Sequence, residues 1–315
     1  MTERELRDAL AQVTRLQREL SSMLDRSRAP SRTAGEAPVG VLADSPEPRP
    51  AIRLLGTFEV DVAGRSIPVG SGGKSAAVLK FLAASGTQTV PRELILDALW
   101  PDVPASIAAS RLRSALHQLR RAFADARGRH GVEDEIVSYE HGQYLLFPGR
   151  MLVTDVDLFE DAWARGQRHD RAGEVGQAVE SYSRAERLSR GDFLEQDQYL
   201  EWTTLRREQL RDAYLTLLGR LADLSLQAGD ELGAIACCHK LLRRDSCNEE
   251  AYRLLMEVHG RRGDRNAVSR WYDLCERELR RSMGVPASDL TRRKRDEALR
   301  LTGGGDLEAT LASAG

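Results

Sequence analysis

The chain has 315 residues, 41% hydrophobic and 30% charged, with 46 basic side chains against 48 acidic ones and a formal net charge of −2. That length suits two or three domains, and the charge balance excludes a histone-like polycation while allowing a local basic face. Aromatics make up only 5%, so the cores must be aliphatic. Four of the basic residues are lysines (Lys74, Lys80, Lys240 and Lys294), so abundant arginine says little by itself about nucleic acid. The charged N-terminus lacks the apolar core of a secretory leader, and no stretch approaches the roughly 18 apolar residues of a membrane span. The cysteines, Cys237, Cys238, Cys247 and Cys275, form no C-x-x-C and fall in helix-patterned sequence. They read as buried free thiols in a reducing cytoplasm, and His239 beside Cys238 has poor ligand geometry.

Residues 3–24 carry Leu6, Leu10, Val13, Gln17, Leu20 and Leu24 at alternating four- and three-residue steps, the seam of a short coiled coil over 1–25. A lone amphipathic helix is the alternative. Five prolines between Pro30 and Pro50 make 26–50 a linker. From Ile52 the period changes to two, predicting strands at 52–56, 58–62 and 66–69 with a hairpin turn at Ala63-Gly64-Arg65. Helices follow at 74–84, 91–99 and 106–124. Pro91 suits a first turn, and Pro101 and Pro104 break the chain. Strands at 136–140 and 143–147, joined by His141-Gly142, close a β-β-β-α-α-α-β-β domain over 51–150.

Everything from 151 to 302 reads as helix. Gly173-Glu174 with Ala178, Gly229-Asp230 with Ala234 and Gly263-Asp264 with Ala267 repeat one signature. The second and third glycines are 34 residues apart, the period of tetratricopeptide repeats, and a long helix from about Tyr199 to Ala228 lengthens the first unit. Each glycine is expected to end a helix, each acid to cap the next, and each alanine to permit close packing. The Gly-rich tail 303–315 is expected to be disordered.

The segment 106–124 carries the functional signal. Leu112, Ala115/Leu116, Leu119 and Phe123 form an apolar stripe, and Ser110, Arg111, Arg113, Ser114, His117, Gln118, Arg120 and Arg121 occupy the other faces. Over 106–129 six arginines (111, 113, 120, 121, 127 and 129) face one acid, Asp125, so 6 − 1 gives +5. Arginine and glutamine suit base edges, arginine suits phosphates, and a helix of this width fits the major groove. A preceding helix, a proline-containing turn and a following hairpin make the arrangement a winged helix-turn-helix.

Residues 52–147 resemble the winged helix of OmpR-type response regulators, in the version carried by the Streptomyces antibiotic regulatory proteins. The carrying residues are Ile52-Arg53-Leu54-Leu55-Gly56, Leu94 through Leu99-Trp100-Pro101, Leu112, Leu119-Arg120-Arg121-Ala122-Phe123 and Gly142-Gln143-Tyr144-Leu145. Residues 154–290 are similar to that family's bacterial transcriptional activation domain, through Asp155-Val156-Asp157-Leu158-Phe159, Glu249-Glu250-Ala251-Tyr252 and Met283-Gly284-Val285-Pro286. The resemblance implies a mainly α protein, a winged helix followed by an all-α tetratricopeptide-like domain. It implies a cytoplasmic, nucleoid-associated homodimer that activates secondary-metabolite genes by binding repeats in double-stranded promoter DNA and contacting RNA polymerase. Ser114 and Gln118, with Arg113, are then the expected base contacts. Ser110, Arg111, His117, Arg120, Arg121, Gln143 and Tyr144 are the expected backbone contacts. No receiver domain precedes the winged helix, so aspartyl phosphorylation is not expected. Gln118 stands where arginine is common, which alters the expected base preference.

Other signals weigh less. The run Pro68-Val69-Gly70-Ser71-Gly72-Gly73-Lys74-Ser75 has Pro where a phosphate-binding loop needs Gly. Asp155 and Asp157 lack a nucleophile nearby and read as junction caps. Trp100, Trp163, Trp202 and Trp271 read as packing anchors. No enzymatic activity, metal or other cofactor is expected. The alternative function is an interaction scaffold whose helical repeats bind a peptide or regulator and whose winged helix does not bind DNA; burial of Arg111, Arg113, His117 and Gln118 against another domain would favour it.

Overall fold

The computed structural model describes residues 51–62, 65–68, 73–86, 88–127, 136–148 and 152–312. The expected coiled coil at 1–25, the linker at 26–50, residues 69–72 of the glycine-rich loop, the acidic run Glu133-Asp134-Glu135 and residues 313–315 lie outside these. Two compact units emerge. One holds the residues up to Leu158 together with Leu188–Leu210, the other Phe159–Arg187 and the chain from Arg211 onward.

The first unit contains β1 (Ala51–Arg53), β2 (Glu59–Val62), β3 (Arg65–Ser66), α1 (Lys74–Ala84), β4 (Val90–Pro91), α2 (Arg92–Leu99), α3 (Ala105–Arg127), β5 (Val137–Glu140), β6 (Gln143–Leu146) and β7 (Val153–Thr154). The strands form a four-stranded sheet in the order β3-β2-β1-β7 and a three-stranded sheet in the order β4-β6-β5. In the first, Ile52 lies opposite Val60 in an antiparallel pair and opposite Thr154 in a parallel one. β4 and β7 were not expected, because two-residue strands are too short to show a period. Pro91 sits at the N-cap of α2 and pairs with Gln143 rather than entering the helix. The core is aliphatic with a few rings, built around Ile52, Leu54, Val78, Leu79, Phe81, Leu82, Ile95, Leu112, Leu119 and Phe123. Each such side chain contributes about 1.5–3 kcal/mol on burial.

Residues 188–210, expected within the helical domain, cluster with this unit because the backbone pairs directly. Gly56 N–H donates to Asp192 at 2.9 Å, Leu194 N–H donates to Leu54 at 2.8 Å, and Leu55 bridges Phe193. The Lys80 ammonium, on a side chain only 1% exposed, pairs with Asp197 at 2.5 Å. The Phe81 ring meets Trp202 edge-on at 4.9 Å. Arg207 donates to the carbonyls of Phe193 and Asp197 at 2.9 and 3.1 Å.

The two aspartates divide the junction between them. Asp157 accepts from the Thr154 N–H at 2.9 Å, and its own N–H donates to Thr154 Oγ1 at 3.1 Å, a reciprocal capping box. The Asp155 carboxylate accepts from the backbone N–H groups of Leu54 and Leu55 at 2.7 and 3.0 Å.

The remaining helices are α4 (Asp155–Arg171), α5 (Val175–Leu188), α6 (Glu201–Gln227), α7 (Glu231–Arg244), α8 (Glu249–Arg261), α9 (Arg265–Met283) and α10 (Asp289–Ala312). The unit boundaries fall inside α4 and at the ends or interior of α5 and α6. The repeat signature holds in detail. Gly173, Gly229 and Gly263 have φ of 73°, 81° and 75°, the left-handed conformation that ends a helix. Asp230 and Asp264 accept from Gly233 and Ala267 N–H at 2.9 Å each. Glu174 is the exception, since its carboxylate pairs with His169 at 2.5 Å. Ala178, Ala234 and Ala267 are fully buried.

Two expectations change here. Cys247 lies in the turn between α7 and α8, not in a helix. The tail is not irregular from 303. Helix α10 continues through Gly303-Gly304-Gly305 to Ala312.

Candidate nucleic-acid interface

The turn Trp100–Pro104 separates α2 from α3. Trp100 N–H closes α2 onto Leu96 at 2.8 Å, and Lys74 Nζ donates to the Leu99 carbonyl at 2.8 Å, satisfying a group the helix end would leave unpaired. The Pro104 carbonyl accepts from Ile107 and Ala108 N–H at 2.9 and 3.0 Å and starts α3. Alanine, leucine and arginine, all good helix formers, then carry α3 over 23 residues, somewhat longer than expected at both ends.

At about 100° per residue, the buried Ala108, Ala109, Leu112, Ala115, Leu116, Leu119 and Phe123 lie within one arc of α3. Ser110, Arg111, Arg113, Ser114, His117, Gln118 and Arg121 are all exposed and fill an opposite arc of roughly 160°. Arg111, Arg113, His117 and Gln118 have no side-chain hydrogen bond or ion pair among the described residues. All four are exposed, so the burial that would favour a scaffold role is not seen among the described residues. Ser114 donates its hydroxyl to the Ser110 carbonyl at 3.1 Å, leaving Ser114 Oγ able to accept. Arg121 is 4.0 Å from Asp125, a loose pair between exposed side chains.

Arg120 stands at the edge of this arc. Its Nη2 donates to the Val137 carbonyl at 3.2 Å, tying α3 to the first strand of the hairpin. The hairpin β5–β6 turns through His141 and Gly142, with φ of 52° and 83°, the two positive values a tight two-residue turn needs. Arg92 N–H donates to the Gly142 carbonyl at 2.9 Å and anchors that turn. Gln143 is exposed. Tyr144 is not, contrary to its expected place at the DNA backbone. It is 7% exposed, and its ring lies 4.5 Å from that of Tyr139 across the hairpin. Burial pushes the Tyr144 phenol above its ordinary value, Tyr139 adds to this, and Arg92, Arg120 and Arg113 oppose it. Tyr139 is the direct cross-strand partner of Tyr144, so both rings share one face of the hairpin, and Tyr139 is the outer of the two at 48% exposed. The sequence reading overlooked Tyr139, and no two-residue period marked it, because β5 is buried at Val137 and Ser138 and exposed at Tyr139 and Glu140.

Elsewhere the chemistry is quiet. Burial pushes the thiols of Cys237 up to about 11 and of Cys238 and Cys275 to about 12, so they stay protonated near neutrality. Among the described residues no cluster of His, Cys, Asp and Glu could hold a metal ion, and no helix is long and apolar enough to cross a membrane.

Residues 154–299 match the family described as bacterial transcriptional activator domain. The chain is 26% identical over 204 residues to the transcriptional regulatory protein MoaR1 of Mycobacterium tuberculosis, a match covering 64% of each chain, less than two thirds of that relative's length. It is 25% identical over 240 residues to the regulatory protein DnrI of Streptomyces peucetius, covering 75% of this chain and 87% of that one. Its fold is similar to that of Mycobacterium tuberculosis EmbR, solved in complex with a low affinity phosphopeptide. That TM-score is 0.65 at 20% identity, over 85% of this chain and 71% of that chain.

Proposed function

We propose that the chain is a transcriptional activator of the Streptomyces antibiotic regulatory protein family that acts by binding promoter DNA; the match of residues 154–299 to the bacterial transcriptional activator domain, the similarity to two regulatory proteins and the exposed face of α3 support this reading. Helix α3 enters the major groove. Arg113, Ser114 and Gln118 meet base edges, and Ser110, Arg111, His117 and Arg121 meet phosphates. The hairpin of β5 and β6 lies along the flanking backbone with Gln143 and Tyr139. Two copies occupy repeated half-sites, and the helical domain contacts RNA polymerase in the cytoplasm. The observation that carries this reading is the exposed face of α3 from Ser110 to Arg121, whose seven exposed residues include three arginines and no acid, opposite a fully apolar one.

The experiment is binding of the purified chain to duplexes from its own gene neighbourhood across a salt series. Affinity should fall steeply with salt. Arg111→Ala should weaken all sequences alike and reduce the slope of log K against log salt by about 0.9, the value of one phosphate contact. Gln118→Ala should instead relax preference at one base pair, a loss of about 1–3 kcal/mol. Absence of promoter binding at low salt would refute the proposal.

A further inference from the structure

Among the described residues from Ala51 to Leu158, two large apolar side chains stand in solvent, Ile107 and Tyr139, each 48% exposed. A single exposed apolar residue is ordinary on a protein surface. Ile107 lies on α3 and Tyr139 on the hairpin that follows it. Ile107, Arg111, Ser114 and Gln118 are separated by four, three and four residues, a spacing that puts all four on one stripe of α3. Ile107 therefore sits in line with the polar groups that face outward, and not on the buried arc. It is anchored in the first turn, where its N–H donates to Pro104 at 2.9 Å. From Ile107 to Gln118 is on the order of 16 Å along the helix, enough for the two to touch different base pairs of one half-site.

A branched apolar side chain cannot hydrogen-bond a base edge. In the major groove the apolar feature available to it is the C5-methyl of thymine. Resting on the reading of α3 as the groove helix, we infer that Ile107 determines specificity by packing on a thymine methyl, so that each half-site holds a thymine chosen by contact with Ile107. Ser114 and Gln118 on the stripe select by hydrogen bonding. Ile107 selects by excluding water from one methyl group, which cytosine at that position lacks.

The test uses the full chain and duplexes it selects from a random-sequence library. Each thymine of the selected site is replaced in turn by deoxyuridine, which removes only the methyl. At one thymine per half-site the replacement should weaken binding roughly fourfold, the effect of about one buried methyl group. Ile107→Ala should bind the thymine and deoxyuridine duplexes alike, and Ile107→Val should keep most of the difference. Ile107 is exposed, so both variants should melt with the wild type. Tolerance of deoxyuridine at every position, or an equal penalty with Ile107→Ala, overturns the inference and leaves DNA binding standing. A library that yields no preferred sequence overturns the proposed function itself.

Discussion

Replacing Asp155 by alanine should destabilise the first unit by about 3 kcal/mol. The carboxylate is 9% exposed and accepts from two backbone N–H groups, Leu54 at 2.7 Å and Leu55 at 3.0 Å. Both donors follow β1, and Leu54 and Leu55 are buried. Stranding one buried donor costs about 1–3 kcal/mol, so two cost about 2–6. Alanine also removes the expense of burying the charge, which raises the Asp155 pKa despite the N–H groups favouring the anion. That relief, with partial entry of water, places the net effect in the lower half of the range. Asp155→Asn keeps one acceptor oxygen and should lose about half as much. Urea unfolding monitored by circular dichroism supplies the measurement, with the midpoint falling and the slope unchanged. If Asp155→Ala stays within about 0.5 kcal/mol of the wild type, ordinary for a surface substitution, the two hydrogen bonds do not hold β1 as argued.

Arg120→Ala should loosen the hairpin against α3 by removing the bond to Val137. Its salt slope should stay closer to wild type than that of Arg111→Ala, and amide exchange across Val137–Glu140 should accelerate; unchanged exchange would return Arg120 to a simple phosphate contact. Gly260→Ala should cost the second unit about 2 kcal/mol in thermal or urea melts. A Cβ there would lie 2.8 Å from the Ala298 carbonyl oxygen, so α8 and α10 must part, and overpacking of about 1–3 kcal/mol exceeds the helix-propensity gain. Hydrogen bonds from Arg220 at 2.7 Å hold the Asp170 carboxyl below the usual range, against burial, which raises it. A depressed folded pKa contributes stability above the unfolded value of about 3.9 that is lost as pH falls through the folded one. The gap between wild type and Asp170→Asn should thus be constant near neutrality and close only in acid; a gap that widened in acid would refute the pairing.

Much of this was legible before any coordinates. The apolar stripe of α3 shows at helical spacing, and the same count that makes Leu112, Leu119 and Phe123 internal makes Arg111, Ser114 and Gln118 external. The repeat glycines, the caps at Asp230 and Asp264, and the turn at His141-Gly142 are also local. Each depends on residues within a few positions of one another, where backbone sterics and short hydrogen bonds decide the outcome. Periodicity could separate the two sides of α3, but it could not say what lies beside them. Arg120 is bound to Val137, Tyr144 is covered by Tyr139, Lys80 finds Asp197 from 117 positions away, and Asp155 reaches back about 100 residues to Leu54 and Leu55. A sequence alone determines which side chains can be buried together. Which ones meet depends on distant segments arriving at the same place, and only the tertiary structure decided that.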